Sequence, residues 1–264
     1  MSVFEAVLLG ILQAVTEFLP VSSSGHLVLA QHLLGLREPM LAFDVLLHVG
    51  TLVAVMAFYR RELGTMIVSL VRPSRAPGGR HLILMMIAAS IPTGLIGFGF
   101  QDFIESLFQS PAAVGFFWIL TAGLLFGISR LTGSAKTIAQ ITVSDALLIG
   151  LFQGMAILPG VSRSGATIAM GVMCGLHPKE AAGFSFLISI PAILGATILQ
   201  VGDIGAVTGS ELGAYVAGAV AAAVVAYAAI WILLRLLQRR VIRPFAWYCL
   251  AAAVVALIVT MIGS

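Results

Sequence analysis

The sequence predicts an all-α polytopic membrane protein made of two inverted-topology repeats. Three observations favour this fold class. The chain of 264 residues is 60% hydrophobic and only 9% charged, whereas soluble proteins are about 25% charged. Six segments are long and apolar enough to cross a bilayer. Two further apolar regions are each interrupted by a turn rich in Pro, Ser and Gly, and the second repeats the first.

Six apolar segments predict transmembrane helices, because a helix needs about 20 mostly apolar residues to span the hydrocarbon core. The N-terminus carries no basic region, so the first apolar region is expected to be part of the mature fold and not a signal peptide. The basic residues that give the net charge of +3 lie between apolar segments, which does not indicate nucleic-acid binding. The six segments are 41–60, 81–100, 111–130, 180–201, 212–235 and 244–262.

The two interrupted regions, about 3–35 and 143–175, predict helical hairpins that enter the membrane and return. The first is broken by Leu-Pro-Val-Ser-Ser-Ser-Gly at 19–25 and the second by Leu-Pro-Gly-Val-Ser-Arg-Ser-Gly at 158–165. Proline ends a helix, and serine is a good N-cap for the next one. Irregular backbone at membrane depth persists only where protein or water surrounds it. Both tips are therefore expected inside the bundle, facing a cavity.

The two halves of the chain form an internal repeat. Each repeat has one hairpin and three spans, repeat one at about 1–130 and repeat two at about 143–264. Because three is odd, the second repeat must be inverted, and the two tips can meet near mid-membrane, as in many transporters. At a shift of 140 residues, Gly10, Gln13, Val21, Ser22, Ser24 and Gly25 align with Gly150, Gln153, Val161, Ser162, Ser164 and Gly165.

Loop charges predict the orientation of the chain. Four loops that this arrangement puts on one side carry most of the basic residues, so that side is expected to be cytoplasmic and both termini outside. The basic residues are Arg60, Arg61, Arg72, Arg75, Arg80, Arg130, Lys136, Lys179, Arg235, Arg239, Arg240 and Arg243. The opposite loops carry Asp102, Glu105, Asp203 and Glu211, with Arg37 and Glu38 nearly cancelling.

Three charged or titratable residues lie deep in apolar sequence: Glu17, His26 and Arg163. Such residues are costly in a membrane and usually functional, although a structural ion pair or helix-end hydrogen bond is the alternative. Gln13 shares a helix face with Glu17 through its i, i+4 spacing. Glu17 could act as a general base, orient a nucleophile or hold a divalent cation.

The hairpin tips themselves are candidate phosphate-binding segments, because free N–H groups and hydroxyls at a helix N-terminus attract anions. Arg163 adds a guanidinium suited to bidentate phosphate contacts. Helix capping alone could explain either turn; two turns at equivalent positions, one with an arginine, favour phosphate binding. The candidate binding residues are Ser22, Ser23, Ser24 and Gly25 in tip one and Ser162, Arg163, Ser164 and Gly165 in tip two.

The two tips differ in chemistry. At the 140-residue shift, Glu17 aligns with Ile157, Ser23 with Arg163, and His26 with Ala166. One repeat thus carries the acid–base groups and the other the cation, a division that a phosphatase needs and a simple binding site does not. Asp44 and His48 also share a helix face and could either line the cavity or stabilise a helix end.

Two long motifs resemble the signatures of one bacterial family. Residues 13–26, Gln-Ala-Val-Thr-Glu-Phe-Leu-Pro-Val-Ser-Ser-Ser-Gly-His, and residues 159–168, Pro-Gly-Val-Ser-Arg-Ser-Gly-Ala-Thr-Ile, resemble those of the undecaprenyl-diphosphate phosphatases of the bacitracin-resistance type. Phe-Ser-Phe-Leu at 184–187 with Pro191 also fits. The family accepts Glu or Gln at the position of Gln13.

The resemblance implies a multi-pass enzyme of the bacterial inner membrane, with a site open to the periplasm. Its expected reaction hydrolyses undecaprenyl diphosphate to the monophosphate, which recycles the lipid carrier for peptidoglycan and confers bacitracin resistance. It further implies a divalent cation, Mg²⁺ or Ca²⁺, and a homodimer. The catalytic residues that it implies are Glu17, Ser23, His26 and Arg163, with Gln13 assisting.

The chemistry leaves two questions open. Ser23, His26 and a water are all possible nucleophiles, and we favour Ser23. The neutral-range pKa of an ordinary histidine, about 6.5, suits His26 to shuttling a proton. The alternative function is a lipid-phosphate transporter or flippase, since inverted repeats and broken helices are typical of transporters. The Glu17 and His26 pair favours the enzyme, because moving an anion does not require those groups.

Overall fold

A computed structural model describes residues 1–34, 41–108, 110–130, 135–199, 209–239 and 241–263. Four charged residues used in the topology prediction, Arg37, Glu38, Asp203 and Arg240, lie outside these ranges. Within them the regular structure is helical, apart from one isolated parallel bridge between Lys136 and Leu176.

Twelve α-helices make up the described part of the chain, joined in two places by short 3₁₀ turns at Pro73–Arg75 and Ile138–Gln140. In chain order they are α1 Val3–Phe18, α2 Ser23–Leu33, α3 Leu41–Phe58, α4 Arg60–Val71, α5 Gly79–Gly99, α6 Gln101–Leu107, α7 Pro111–Ile128, α8 Val143–Met155, α9 Arg163–Met173, α10 Pro178–Leu199, α11 Gly209–Gln238 and α12 Arg243–Gly263.

Five of these helices, α5, α7, α10, α11 and α12, are long and apolar enough to cross a membrane. A sixth span results if α3 and α4 are counted as one segment, although they meet at an angle of 74°. The bend lies where the apolar run of α3 gives way to Arg60 and Arg61. The prediction of a polytopic membrane protein is confirmed, with the third helix bent at its end.

Helices end and restart at both predicted breaks. α1 stops at Phe18 and α2 begins behind an N-cap at Ser22, while α8 stops at Met155 and α9 begins behind an N-cap at Ser162. Tip one is the turn between α1 and α2, and tip two is the turn between α8 and α9. Each turn contains a proline, which supplies no N–H to extend the preceding helix.

Both helical pairs pack against a long helix from the other half of the chain. α1 lies on α11, and a side chain at Gly10 would place its Cβ 2.2 Å from the carbonyl oxygen of Gly218. α8 lies on α5, and a Cβ at Gly150 would lie 2.0 Å from the carbonyl oxygen of Ala89. These backbones approach so closely that only glycine fits at Gly10 and Gly150.

Helix α7 supplies hydrogen bonds to both tips. The fully buried Trp118 donates its Nε1–H to the carbonyl oxygen of Val21 at 2.7 Å. Thr121 donates its hydroxyl to the carbonyl oxygen of Gly160 at 3.0 Å and accepts from the backbone N–H of Ser162 at 3.0 Å. Unpaired backbone groups are costly away from water. The hydrogen bonds from α7 pair such groups in both turns and so stabilise irregular backbone inside the bundle.

Candidate active site

Glu17 is the centre of the polar cluster inside the bundle. It lies in the last turn of α1, and only 4% of its side chain is exposed. One carboxylate oxygen, Oε1, accepts from Nη2 of Arg163. The other, Oε2, accepts from the hydroxyl of Ser23 at 2.5 Å and from Nε2 of Gln13 at 3.0 Å. Gln13, Ser23 and Arg163, which the sequence predicts to act together with Glu17, therefore all bond to its carboxylate.

Arg163 joins the two hairpins. It is the first residue of α9, and its guanidinium reaches Glu17 on α1 as well as the carbonyl oxygen of Ser185 on α10, at 3.4 Å from Nη1. A buried charge of this kind is tolerated when an opposite charge and hydrogen bonds meet it. The pair is nearly neutral overall, and the guanidinium still has N–H groups for a further anion.

Direct contacts connect the two tips. The hydroxyl of Ser164 donates to the carbonyl oxygen of Leu19 at 3.2 Å. A Cβ added at Gly165 would lie only 3.3 Å from Cβ of Pro20, so there is little room between the tips for a side chain at this position. The expectation that the tips meet is confirmed by these contacts and by the ion pair.

The serines of the two tips cap the helices that follow them. Ser22 Oγ accepts from the N–H of Gly25 at 3.4 Å, and Ser162 Oγ accepts from the N–H of Gly165 at 3.0 Å. Ser22 also pairs with the Ser24 hydroxyl at 3.3 Å, as Ser162 does with Ser164 at 3.2 Å. Capping therefore occupies Ser22 and Ser162, whereas the Ser23 hydroxyl is directed at Glu17. Gly25 itself is buried against α7.

A cavity of about 420 Å³ opens beside this cluster. Most of its remaining wall is apolar and comes from α5, α6 and α10, including Phe98, Ile104, Phe108, Pro191 and Leu199. A cavity with a polar end and an apolar wall suits a ligand with a charged head and an apolar tail. The polar end is formed by Glu17, Ser23, Ser24, Asp44, His48, Gln153, Ser162 and Arg163.

His48 approaches Glu17 from α3, with its Nε2 3.5 Å from the carboxylate. Its Nδ1 donates to the carbonyl oxygen of Asp44 at 2.7 Å, and the Asp44 carboxylate accepts from Gln31 Nε2 at 2.7 Å. Both Asp44 and His48 line the cavity, as one of the two alternatives left open by the sequence expects, and Asp44 also lies in the first turn of α3.

His26 is not brought together with Glu17 and Arg163. Although it follows Ser23 by three positions on α2, its ring lies on the other side of the tip, beside α7 and α12. It stacks on Tyr248 with ring centroids 5.6 Å apart and meets the edge of Trp118 at 5.0 Å. The catalytic role predicted for His26 remains a prediction.

The donor atoms at the site suit a hard cation only in part. Within the described ranges no group of three or more His, Cys, Asp and Glu residues could hold a metal ion. Gln13 donates to Glu17 through its Nε2, and its buried Oε1 has no hydrogen-bond partner in this part of the chain. Mg²⁺ is often held by one or two carboxylates together with substrate phosphates. Glu17 and Gln13 fit such a shared site.

Several polar residues of the cavity were not singled out as site residues from the sequence, among them Gln153 and Thr93. Gln153 donates Nε2 to the hydroxyl of Thr93 at 3.2 Å, and its buried Oε1 has no partner among the residues described. The 140-residue shift could have found Gln153, since it aligns with Gln13. Thr93 carries no comparable signal, because a threonine in an apolar helix usually bonds to its own backbone.

The fold and this site together define a polytopic α-helical membrane protein with a buried polar site, centred on the Glu17–Arg163 ion pair, between two helical hairpins. The family model of the bacitracin resistance protein BacA matches residues 6–255. The chain belongs to that family.

Curated relatives that match the whole length of the chain carry the name undecaprenyl-diphosphatase. The relative from Pelobacter propionicus is 45% identical over 274 residues, covering 100% of both chains. The relative from Carboxydothermus hydrogenoformans is 40% identical over 267 residues, covering 100% of this chain and 99% of its own. A third, from Rubrobacter xylanophilus, is 43% identical over 273 residues, covering 98% and 99%.

Proposed function

We propose that this protein hydrolyses undecaprenyl diphosphate to undecaprenyl phosphate and inorganic phosphate at the junction of its two hairpins. This reaction recycles the lipid carrier of peptidoglycan synthesis and accounts for bacitracin resistance. The names of the full-length relatives and the family match support the reaction. The observation that carries the site is the Glu17 carboxylate, which holds the Ser23 hydroxyl at 2.5 Å and the Arg163 guanidinium together.

Arg163 would bind the terminal phosphate. Its Nη2 bonds to Glu17, and its Nη1 makes only a long contact of 3.4 Å to Ser185, so N–H groups remain for phosphate oxygens. The planar fork of a guanidinium matches two phosphate oxygens at once. Because the site is shielded from bulk water, that contact would stabilise the charge that develops during phosphoryl transfer more strongly than in water.

Ser23 would be the nucleophile and Glu17 its base. Glu17 takes the hydroxyl proton as Ser23 Oγ bonds to the terminal phosphorus, and the bond from that phosphorus to the bridging oxygen breaks. Undecaprenyl phosphate leaves with the electron pair. A water then attacks the phosphoserine, the bond from phosphorus to Ser23 Oγ breaks, and Glu17 returns its proton to that oxygen as inorganic phosphate is released. A hydroxyl donating to a buried carboxylate, as Ser23 does to Glu17, is the arrangement that this step requires. A water held by Glu17 is the alternative nucleophile.

A divalent cation, Mg²⁺ or Ca²⁺, is part of the proposal. When bound, it would supply positive charge to the diphosphate oxygens. Glu17, which lines the cavity, would hold it together with substrate oxygens, and Oε1 of Gln13, which has no hydrogen-bond partner among the described residues, would be a further ligand. Activity lost with a chelator and restored by added Mg²⁺ supports this part, and unchanged activity in a chelator contradicts it.

The cavity supports an opening towards the periplasm. Its wall extends to Gln101 and Glu105 on α6 and to Leu199 at the end of α10. In the predicted topology these positions lie opposite the basic loops, so the lipid would enter from the outer leaflet with both termini outside.

The helix packing supports inverted repeats. Gly10 and Gly150, which align at the 140-residue shift, make equivalent close crossings with α11 and α5, and these two helices are themselves equivalent in the proposed repeats. A homodimer, implied by the family resemblance, completes the proposal. Mass measurement of the protein in nanodiscs tests it, and a single-chain mass contradicts it.

Transport of a lipid phosphate is the second candidate, favoured by the position of the cavity between hairpins from both halves. Release of inorganic phosphate by the purified protein separates the two functions. We expect release from undecaprenyl and farnesyl diphosphates, lost in Arg163→Ala. Transfer of labelled lipid across vesicles without phosphate release would favour transport.

A further inference from the structure

The ring of His26 is held by hydrogen bonds at both nitrogens, outside the cavity. Nδ1 lies 2.6 Å from the carbonyl oxygen of Ser22, and Nε2 lies 2.7 Å from the hydroxyl of Tyr248 on α12. His26 and Tyr248 lie 222 positions apart in the chain. Neither His26 nor Tyr248 is a wall residue of the cavity next to Glu17.

The partners fix the direction of both hydrogen bonds in the neutral ring. A carbonyl oxygen only accepts, so Nδ1 of His26 carries the proton and donates to Ser22. Nε2 then accepts from the Tyr248 hydroxyl. The Ser22 carbonyl thus fixes the tautomer, and the Tyr248 hydroxyl donates to the ring nitrogen that carries no proton, which holds the ring in the orientation that donates to tip one.

Ser22 is the residue of tip one that most needs such support. Its φ of 67° is in the left-handed region, and it is the only residue other than glycine with positive φ in the described ranges. Such strained conformations persist only when the surroundings enforce them. The next residue is Ser23, whose hydroxyl meets Glu17 at 2.5 Å. The direction of that hydroxyl therefore depends on the conformation of Ser22.

We propose that Tyr248 and His26 are positioning residues that hold tip one in the conformation that presents Ser23 to Glu17. This inference rests on the proposed site and gives His26 a role different from proton transfer. A proton shuttle would require the ring to leave both of its partners and enter the cavity. The observed hydrogen bonds instead connect Tyr248 on α12, through the His26 ring, to the carbonyl oxygen of Ser22.

Substitutions at His26 separate the two roles. In His26→Asn the side-chain amide can donate from the position of Nδ1 but cannot shuttle a proton. In His26→Gln the amide reaches the position of Nε2 and cannot serve Ser22 in the same way. We expect His26→Asn to keep kcat within about tenfold of the wild type, the effect of about one hydrogen bond. We expect His26→Gln to lose considerably more.

Tyr248→Phe keeps the ring that stacks on His26 and removes the hydroxyl. We expect kcat to fall about 3- to 10-fold with KM little changed, the effect of one hydrogen bond. In the His26→Asn background the same change should have no further effect, because Nε2 is absent. Tyr227→Phe is the matched control: Tyr227 is similarly exposed, on α11, where its ring contacts Phe58.

The assay is phosphate release from undecaprenyl diphosphate by purified variants of equal thermal stability in detergent. Equal, near-complete losses in His26→Asn and His26→Gln would overturn the positioning role and support a proton shuttle. Full activity in Tyr248→Phe, or effects of Tyr248→Phe that add to those of His26→Asn, would overturn it too. If the His26 variants do not fold, Tyr248→Phe against its control decides. Full activity in Ser23→Ala and Glu17→Gln would instead refute the proposed site.

Discussion

Replacing Arg163 separates its role in the fold from its role in catalysis. Arg163→Ala leaves the Glu17 carboxylate, with 4% of its side chain exposed, without its cation. Removing one partner of a buried ion pair costs about 3–5 kcal/mol of stability. Ser23 and Gln13 still donate to Glu17, so we expect the lower part of that range. Adding Glu17→Gln removes the isolated charge and should recover most of the lost stability.

Catalysis should respond differently from stability. Removing one donor that stabilises transition-state charge costs about 10²–10³-fold in kcat. Among the described residues, Arg163 is the one arginine or lysine at the polar end of the cavity, so we expect Arg163→Ala to lose at least that factor. The double variant with Glu17→Gln should remain inactive although it is stable. Arg163→Lys keeps the charge without the planar fork and should also be clearly impaired.

The assay for Arg163 measures thermal unfolding in detergent and phosphate release on the same preparations. The wild type and Arg61→Ala, which removes an exposed arginine at the start of α4, serve as references. Normal phosphate release by folded Arg163→Ala would refute the phosphate-binding role. Recovery of activity together with stability in the double variant would refute a catalytic role for both Arg163 and Glu17 and leave them only the role of an ion pair.

Three further outcomes follow from the geometry. Ser23→Ala should reduce phosphate release by at least about 10²-fold, the lower range for catalytic proton-transfer groups; normal turnover would remove Ser23 as nucleophile. Gly10→Ala should lower the free energy of unfolding by about 1–3 kcal/mol through overpacking, measured by thermal unfolding. Gly123→Ala, with open space around it, is the matched control. Equal stability of the two variants would contradict the close crossing of α1 and α11. Cysteines placed near Asp102 should react with an impermeant reagent on intact cells, whereas cysteines near Arg72 should not; labelling near Arg72 would refute the orientation.

Much of the architecture follows from the sequence because the bilayer imposes simple requirements on length and hydropathy. The apolar runs predicted the spans, and the prolines and serines predicted where α1 and α8 end. The bend between α3 and α4 was not predicted. An apolar run does not show whether the chain continues along the membrane normal or turns at its end, and Arg60 and Arg61 mark only where it becomes polar.

The site was predictable where residues are close in sequence or related by the repeat. Gln13 and Glu17 share a face by spacing, and the two tips identified Ser23 and Arg163 as site residues. The surroundings of His26 were not predictable. Helix spacing places it near Ser23, but the direction of its ring depends on Tyr248, which is far away in sequence and looks like an ordinary interfacial aromatic residue.

The most direct test of the account is phosphate release by purified Glu17→Gln from undecaprenyl diphosphate. This change keeps the shape of the side chain and removes the charge that Ser23, Gln13 and Arg163 all meet. We predict a fall in kcat of at least about 10²-fold in a protein that inserts and purifies like the wild type. Turnover within about twofold of the wild type would contradict the claim that this carboxylate carries the reaction.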